Sequence, residues 1–172
     1  MKRAIVALGL AGMLACGAAL AAQEHTMAPG HVHAGGRDSA FAALQARGQR
    51  VMGVDQYASL HHFDDLQDGG RIQLQGKAGD AKATATIREH LRGIVRSFAA
   101  GDFSDPMAVH ERVVPGSAVM AAKKGAIRYS YRELPGGGEV RIRTADRDAV
   151  RAVHEFLAFQ RGDHRSPGHT AR

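Results

Sequence analysis

The chain has 172 residues, a formal net charge of +6, ten histidines, one cysteine and no tryptophan. That length suits one domain with a real core once any N-terminal leader is set aside. The charge is mild enough to permit an anionic partner without requiring nucleic acid, and a lone cysteine excludes an intrachain disulfide.

Residues 1–22 read as a secretory signal: Lys2 and Arg3, an apolar run from Ala4 to Ala15, then small residues ending Ala19-Leu20-Ala21. The apolar run is too short to span a bilayer. Cleavage after Ala21 or Ala22 leaves a mature chain with no cysteine, all ten histidines, and 21 Lys and Arg against 17 Asp and Glu. The expected location is the periplasm or the exterior. In an alternative reading Met13-Leu14-Ala15-Cys16 is a lipoprotein signal and an acylated Cys16 holds the chain to a membrane, although Met matches the first position poorly.

Residues 23–37, QEHTMAPGHVHAGGR, carry Pro and Gly without apolar periodicity and predict a flexible arm. The arm holds His25, Met27, His31 and His33. Imidazole and thioether suit copper, and Met favours Cu(I). Cleavage after Ala22 would also put His25 third behind a free amine, a nitrogen set suited to Cu(II) or Ni(II). The bland account is a polar tail that happens to be rich in histidine.

A single domain is expected over residues 38–164, followed by a disordered tail over 165–172. Asp38 or Ser39 caps a short predicted helix through Ala46 with Phe41 and Leu44 facing in, and Gly48 ends it. Met52, in the lead to the first strand, reads as core filler before ligand. Residues 59–75, SLHHFDDLQDGGRIQLQ, then match residues 127–143, IRYSYRELPGGGEVRIR, without a gap. Each alternates apolar with polar, breaks at a Gly-rich turn and alternates again, which predicts two β-hairpins. The offset places Ser59, His61 and Phe63 where the second copy has Ile127, Tyr129 and Tyr131. His61 therefore points inward and His62 outward.

After Gly79-Asp80 a helix is expected to about Ala100, with Ile87, Leu91, Ile94, Val95 and Phe98 on its apolar face and His90 at the border. Residues 103–116 read as a long irregular connection carrying Met107 and His110. Residues 117–124 form a short helix with Val119 and Met120 inward. The last helix runs from Asp146 or Asp148 to about Arg161, with Val150, Val153, Leu157 and Phe156 facing in, His154 beside them, and Gly162 as its stop. His164 and His169 fall in a polar tail. The fold class is α+β: repeated ββα units, a four-stranded antiparallel sheet, and two helices on one face.

The run HHF, GG-x-I, I-R-x-H-L, G-D-F-x-x-P, V-H, P-G, I-x-Y, P-x-G-G and H-x-F-L-x-F-Q, spread over residues 51–164, resembles a family of small uncharacterised exported bacterial proteins. Some of those relatives carry an aspartate carbamoyltransferase label. This chain is too short for two α/β domains and lacks a Ser-Thr-Arg-Thr phosphate loop, so it does not support that label. The resemblance implies an exported compartment and a shared fold, and no activity.

Three chemistries compete. In the first, His61, His90, His110 and His154 converge on copper, or less favourably zinc, with Met52, Met107 or Met120 as soft ligands. No compact ligand motif supports this, and the bland account is four satisfied core-edge histidines. In the second, Arg128, Arg132, Arg141 and Arg143 recur at strand spacing on the outer sheet face and grip an anionic ligand or another envelope protein. The bland account is a solvated sheet face, with Asp64 and Glu139 as the acids that offset the like charges. Without aromatics between these arginines nucleic acid is not expected. In the third the chain is an enzyme, but it shows no nucleophile elbow, Walker loop or dinucleotide fingerprint. The expected function is an exported metal-binding protein, a copper carrier or buffer without an organic cofactor. The rival is a non-catalytic module that binds an anion.

Overall fold

The structure, a computed structural model, describes residues 34–166. The expected signal segment, Cys16, the arm ligands His25, Met27, His31 and His33, and His169 lie outside the described residues.

Four strands form one antiparallel sheet in the order β1-β2-β4-β3, with β1 Ser59–Leu66, β2 Gly69–Gly76, β3 Ile127–Leu134 and β4 Gly137–Thr144. Each hairpin closes over a two-residue turn, and β2 pairs with β4 through register partners such as Ile72 with Val140. Alternation puts His61, Phe63, Ile72, Leu74, Tyr129, Tyr131, Val140 and Ile142 on one face, as expected.

Two long helices cover that face. Helix α2, Ala81–Ala100, starts where the Asp80 carboxylate accepts the Ala83 N–H and stops at Gly101 in the left-handed region. Helix α5, Arg147–Asp163, starts where Asp146 accepts the N–H groups of Asp148 and Ala149. Helix α2 lies mainly over β4 and β3, and α5 over β2 and β1. Ile87, Leu91, Phe98, Val153, Phe156 and Leu157 supply the buried helix side. Burying each such side chain contributes roughly 1.5–3 kcal/mol before conformational entropy is charged against it. Phe98, Phe103 and Phe156 pack ring on ring, with the first two centroids 4.3 Å apart.

Several expectations about elements need correction. Beside the expected helix before the first hairpin and the expected short helix before the second, α3 and a 3-10 turn also separate the halves, so the order is more than repeated ββα units. Helix α1 spans Ala34–Met52, so it takes in the end of the expected arm and runs through Gly48. Gly48 is tolerated because a Cβ there would meet Gln56 Cδ at 3.0 Å, and Gly53, at φ +68°, accomplishes the stop instead. The expected loop over 103–116 contains helix α3, Ser104–His110. Pro106 sits in its first turn, where no N–H is needed, and Asp102 accepts the Ser104 N–H. Helix α4, Ser117–Ala122, buries Met120 but leaves Val119 39% exposed. Gly162 does not end α5, which continues to Asp163. Val150 is half-buried, and Ala149 and Ala152 take the deeper positions.

Candidate functional site: a histidine-lined chamber

Helix α1 packs on α3, and Arg47 ties the two together by donating to the Val109 carbonyl at 2.7 Å and pairing with Glu111. Between this pair, the sheet, α2 and the end of α5 lies a chamber of about 60 Å³. Its walls are mostly apolar: Phe63, Ile72, Leu74, Leu91, Ile94, Phe98, Val109 and Phe156. Into this lining come His61 from β1, His90 from α2, His110 from α3 and His164 just past α5.

Three of the four expected histidines therefore meet, and the fourth does not. His154 Nε2 faces the carbonyls of Leu66 and Gly69 at 3.0 and 2.9 Å, so it fastens α5 to the β1–β2 turn. Helix α5 runs back along β1: His154 lies at Leu66, Arg161 at Phe63 and Asp65, and His164 against His61. His154 and His164 are thus separated by about 15 Å along the helix direction. His164 was missed because Gly162 read as a helix stop.

The imidazoles are held in definite ways. His61 and His164 stack with centroids 5.2 Å apart and planes 15° apart, and His164 also stacks on Phe63. His110 stands edge-on to His164 at 5.2 Å. Its Nδ1 lies 2.7 Å from Asp163 Oδ2, and its Nε2 lies 3.0 Å from the Gln160 side-chain amide. Both nitrogens of His110 are therefore engaged, and its ring serves as a fixed wall. By contrast His61 Nε2 and His164 Nδ1 are buried and have no hydrogen-bond partner among the described residues. Of the buried side-chain polar atoms in that condition, these are the ones that belong to the chamber.

Burial dominates the electrostatics. It lowers the His61 pKa to about 3, with neighbouring His164, His90 and His62 adding to the effect. It lowers His164 to about 4, with His110 adding and Asp163 opposing. His90 is also lowered by burial, against an opposing pull from Asp105. At neutral pH the three rings are uncharged, each with one nitrogen lone pair. Val51, Met52, His90 and Asp105 line both the chamber and a wide outer groove of about 590 Å³, so the two are continuous at the mouth.

Among the described residues no three His, Cys, Asp or Glu side chains are placed to hold one metal ion. The stacking of His61 on His164 gives the reason for that pair: their in-plane lone pairs lie in roughly parallel planes and do not meet head-on. Met52 lines the chamber, Met107 is exposed and does not line it, and Met120 is buried in the core.

The arginine face is largely neutralised from within. Arg132 pairs with Glu139 at 3.0 Å, Arg141 with Asp68, Arg143 with Asp68 at 3.7 Å, and Arg71 with Asp64 at 2.7 Å. Arg128, opposite Arg143 in the register, has no carboxylate partner among the described residues. No family model, curated protein or solved structure matches the chain.

Proposed function

We propose that the domain is a non-catalytic binding module whose site is the chamber, and that it takes a small ligand with a short apolar body and a hydroxyl. The observation that carries this is the pair of unpartnered buried ring nitrogens, His61 Nε2 and His164 Nδ1, on rings that line an apolar cavity. A buried polar atom left unpaired costs about 1–3 kcal/mol, which a ligand recovers by pairing with it. A hydroxyl both donates and accepts, so it satisfies either ring tautomer. The chamber is well below the roughly 300–1,000 Å³ of drug-sized sites, so only a few heavy atoms enter it. The N-terminal segment and the family resemblance support an exported, periplasmic setting for this role.

Copper binding is the second reading. What favours it is that His61, His90 and His164 are kept unprotonated around one cavity with the Met52 thioether beside them. An ion there would need at least one ring to turn out of its stack. Both readings are tested by long-range nitrogen NMR of the histidine rings during titration with 1-butanol and, separately and anaerobically, with Cu(I). Saturable movement of the His61 and His164 nitrogens with 1-butanol below about 50 mM, lost in His61→Phe/His164→Phe, is the expected result. Movement with Cu(I) alone would replace the first reading by the second.

A further inference from the structure

We infer that the chamber selects a cationic ligand: a short hydroxylated carbon chain that ends in a protonated amine, with the amine held at the mouth by Asp105. This rests on the chamber being the ligand site. Asp105 is exposed, lines both the chamber and the groove, and makes no hydrogen bond or ion pair among the described residues. The other two charges on the groove wall cancel, because Arg96 donates to Glu89 at 3.0 Å. The mouth of the site therefore carries one uncompensated negative charge, on a chain whose net charge is +6. Asp105 stands in the first turn of α3, where an acid is tolerated without a side-chain partner.

The rest of the site agrees with this sign. The three uncharged rings offer lone pairs to hydrogen-bond donors and present no positive charge toward the opening. The apolar walls accept methylene groups but would penalise a buried ammonium, so the charge belongs at the wet mouth and the hydroxyl at the inner end. An anionic chain of the same shape meets Asp105 as a like charge.

The test uses the full chain and three probes of one shape: 4-amino-1-butanol, 1-butanol and 4-hydroxybutyrate, each followed by the His61 and His164 ring nitrogens. The expected order is amine tightest, by about two- to fivefold over 1-butanol, the range for a solvent-exposed ion pair. The acid is weakest. Asp105→Asn removes the preference for the amine over 1-butanol, and Asp105→Glu restores it. High salt reduces it as well. An amine no tighter than 1-butanol, or a preference that survives Asp105→Asn, overturns the inference while the chamber remains a ligand site. If none of the three probes moves those nitrogens saturably, the chamber reading fails and the inference falls with it.

Discussion

His61 shows how much a single position can reveal. Its inward direction followed from strand alternation and from the core tyrosine at the matching place in the second hairpin. Its partner did not follow, because His164 reaches it only through the path of α5 along β1. That path is set by packing such as Leu157 against Gly70, which no local pattern encodes. The two rings give a pH prediction whose sign can be worked out. Their folded pKa values, about 3 and about 4, lie below the ordinary 6.5 of an unfolded chain. Between those limits the unfolded state binds more protons, so stability falls as the pH drops below 6.5. At pH 5 the loss attributable to His61 is roughly 2 kcal/mol relative to pH 7, and the coupled pair loses less than twice that. Urea unfolding at pH 7 and pH 5 should show a marked drop in midpoint, and His61→Phe/His164→Phe should flatten it. An equal drop in that variant would assign the acid sensitivity to other groups, such as the carboxylates paired with arginine.

At the scale of elements, the hairpins and the two long helices were legible because alternation, caps and helical spacing all agreed. Asp80 and Gly101 bound α2 as the sequence implied. Helices α1 and α3 were misjudged because each turns on one residue with two meanings. Gly48 looks like a stop but is packed against Gln56, and Pro106 looks like a breaker but stands in a first turn. Glycines separate in the same way under substitution. A Cβ at Gly70 would come 2.2 Å from Leu157 Cδ1 and 2.9 Å from the Asp64 carbonyl oxygen, so Gly70→Ala forces the Leu157 side chain of α5 and the β1 backbone at Asp64 to shift. A loss of about 1–3 kcal/mol is expected, the range for overpacked cores. Gly162, late in α5, has nothing within 4 Å of a built Cβ and no positive φ. Gly162→Ala should therefore stabilise by about 0.5–1 kcal/mol. Denaturant midpoints of the two variants should move in opposite directions. Movement the same way would mean that α5 does not sit on β2 as described.

Over the described domain, the sheet divides two kinds of surface. One face is closed by α2 and α5 and contains the chamber. The other carries rows of charge across four strands, among them Asp64, Arg71, Arg141 and Ser130, and His62, Gln73, Glu139 and Arg132. The arginine stripe was legible in sequence, and so were Asp64 and Glu139 as acids that offset it; the pairing of Arg141 and Arg143 was not, since it depends on Asp68 in a turn reaching over to β4. Asp68 is held below the ordinary carboxylate pKa first by its hydrogen bond from Arg141. It therefore stays ionised at neutral pH and keeps two guanidinium groups occupied. This fixes what the anion-binding alternative must do. Asp68→Asn should free Arg141 and Arg143 and raise the salt needed for elution from heparin. Arg128→Ser/Arg143→Ser should lower it, because each contact with an anionic polymer adds to the salt dependence. Elution at one salt concentration for all three proteins would mean that this face does not meet the polymer. A large drop in the arginine variant with no rise in Asp68→Asn would mean that Arg128 and Arg143 make the contact and that release from Asp68 adds nothing to it.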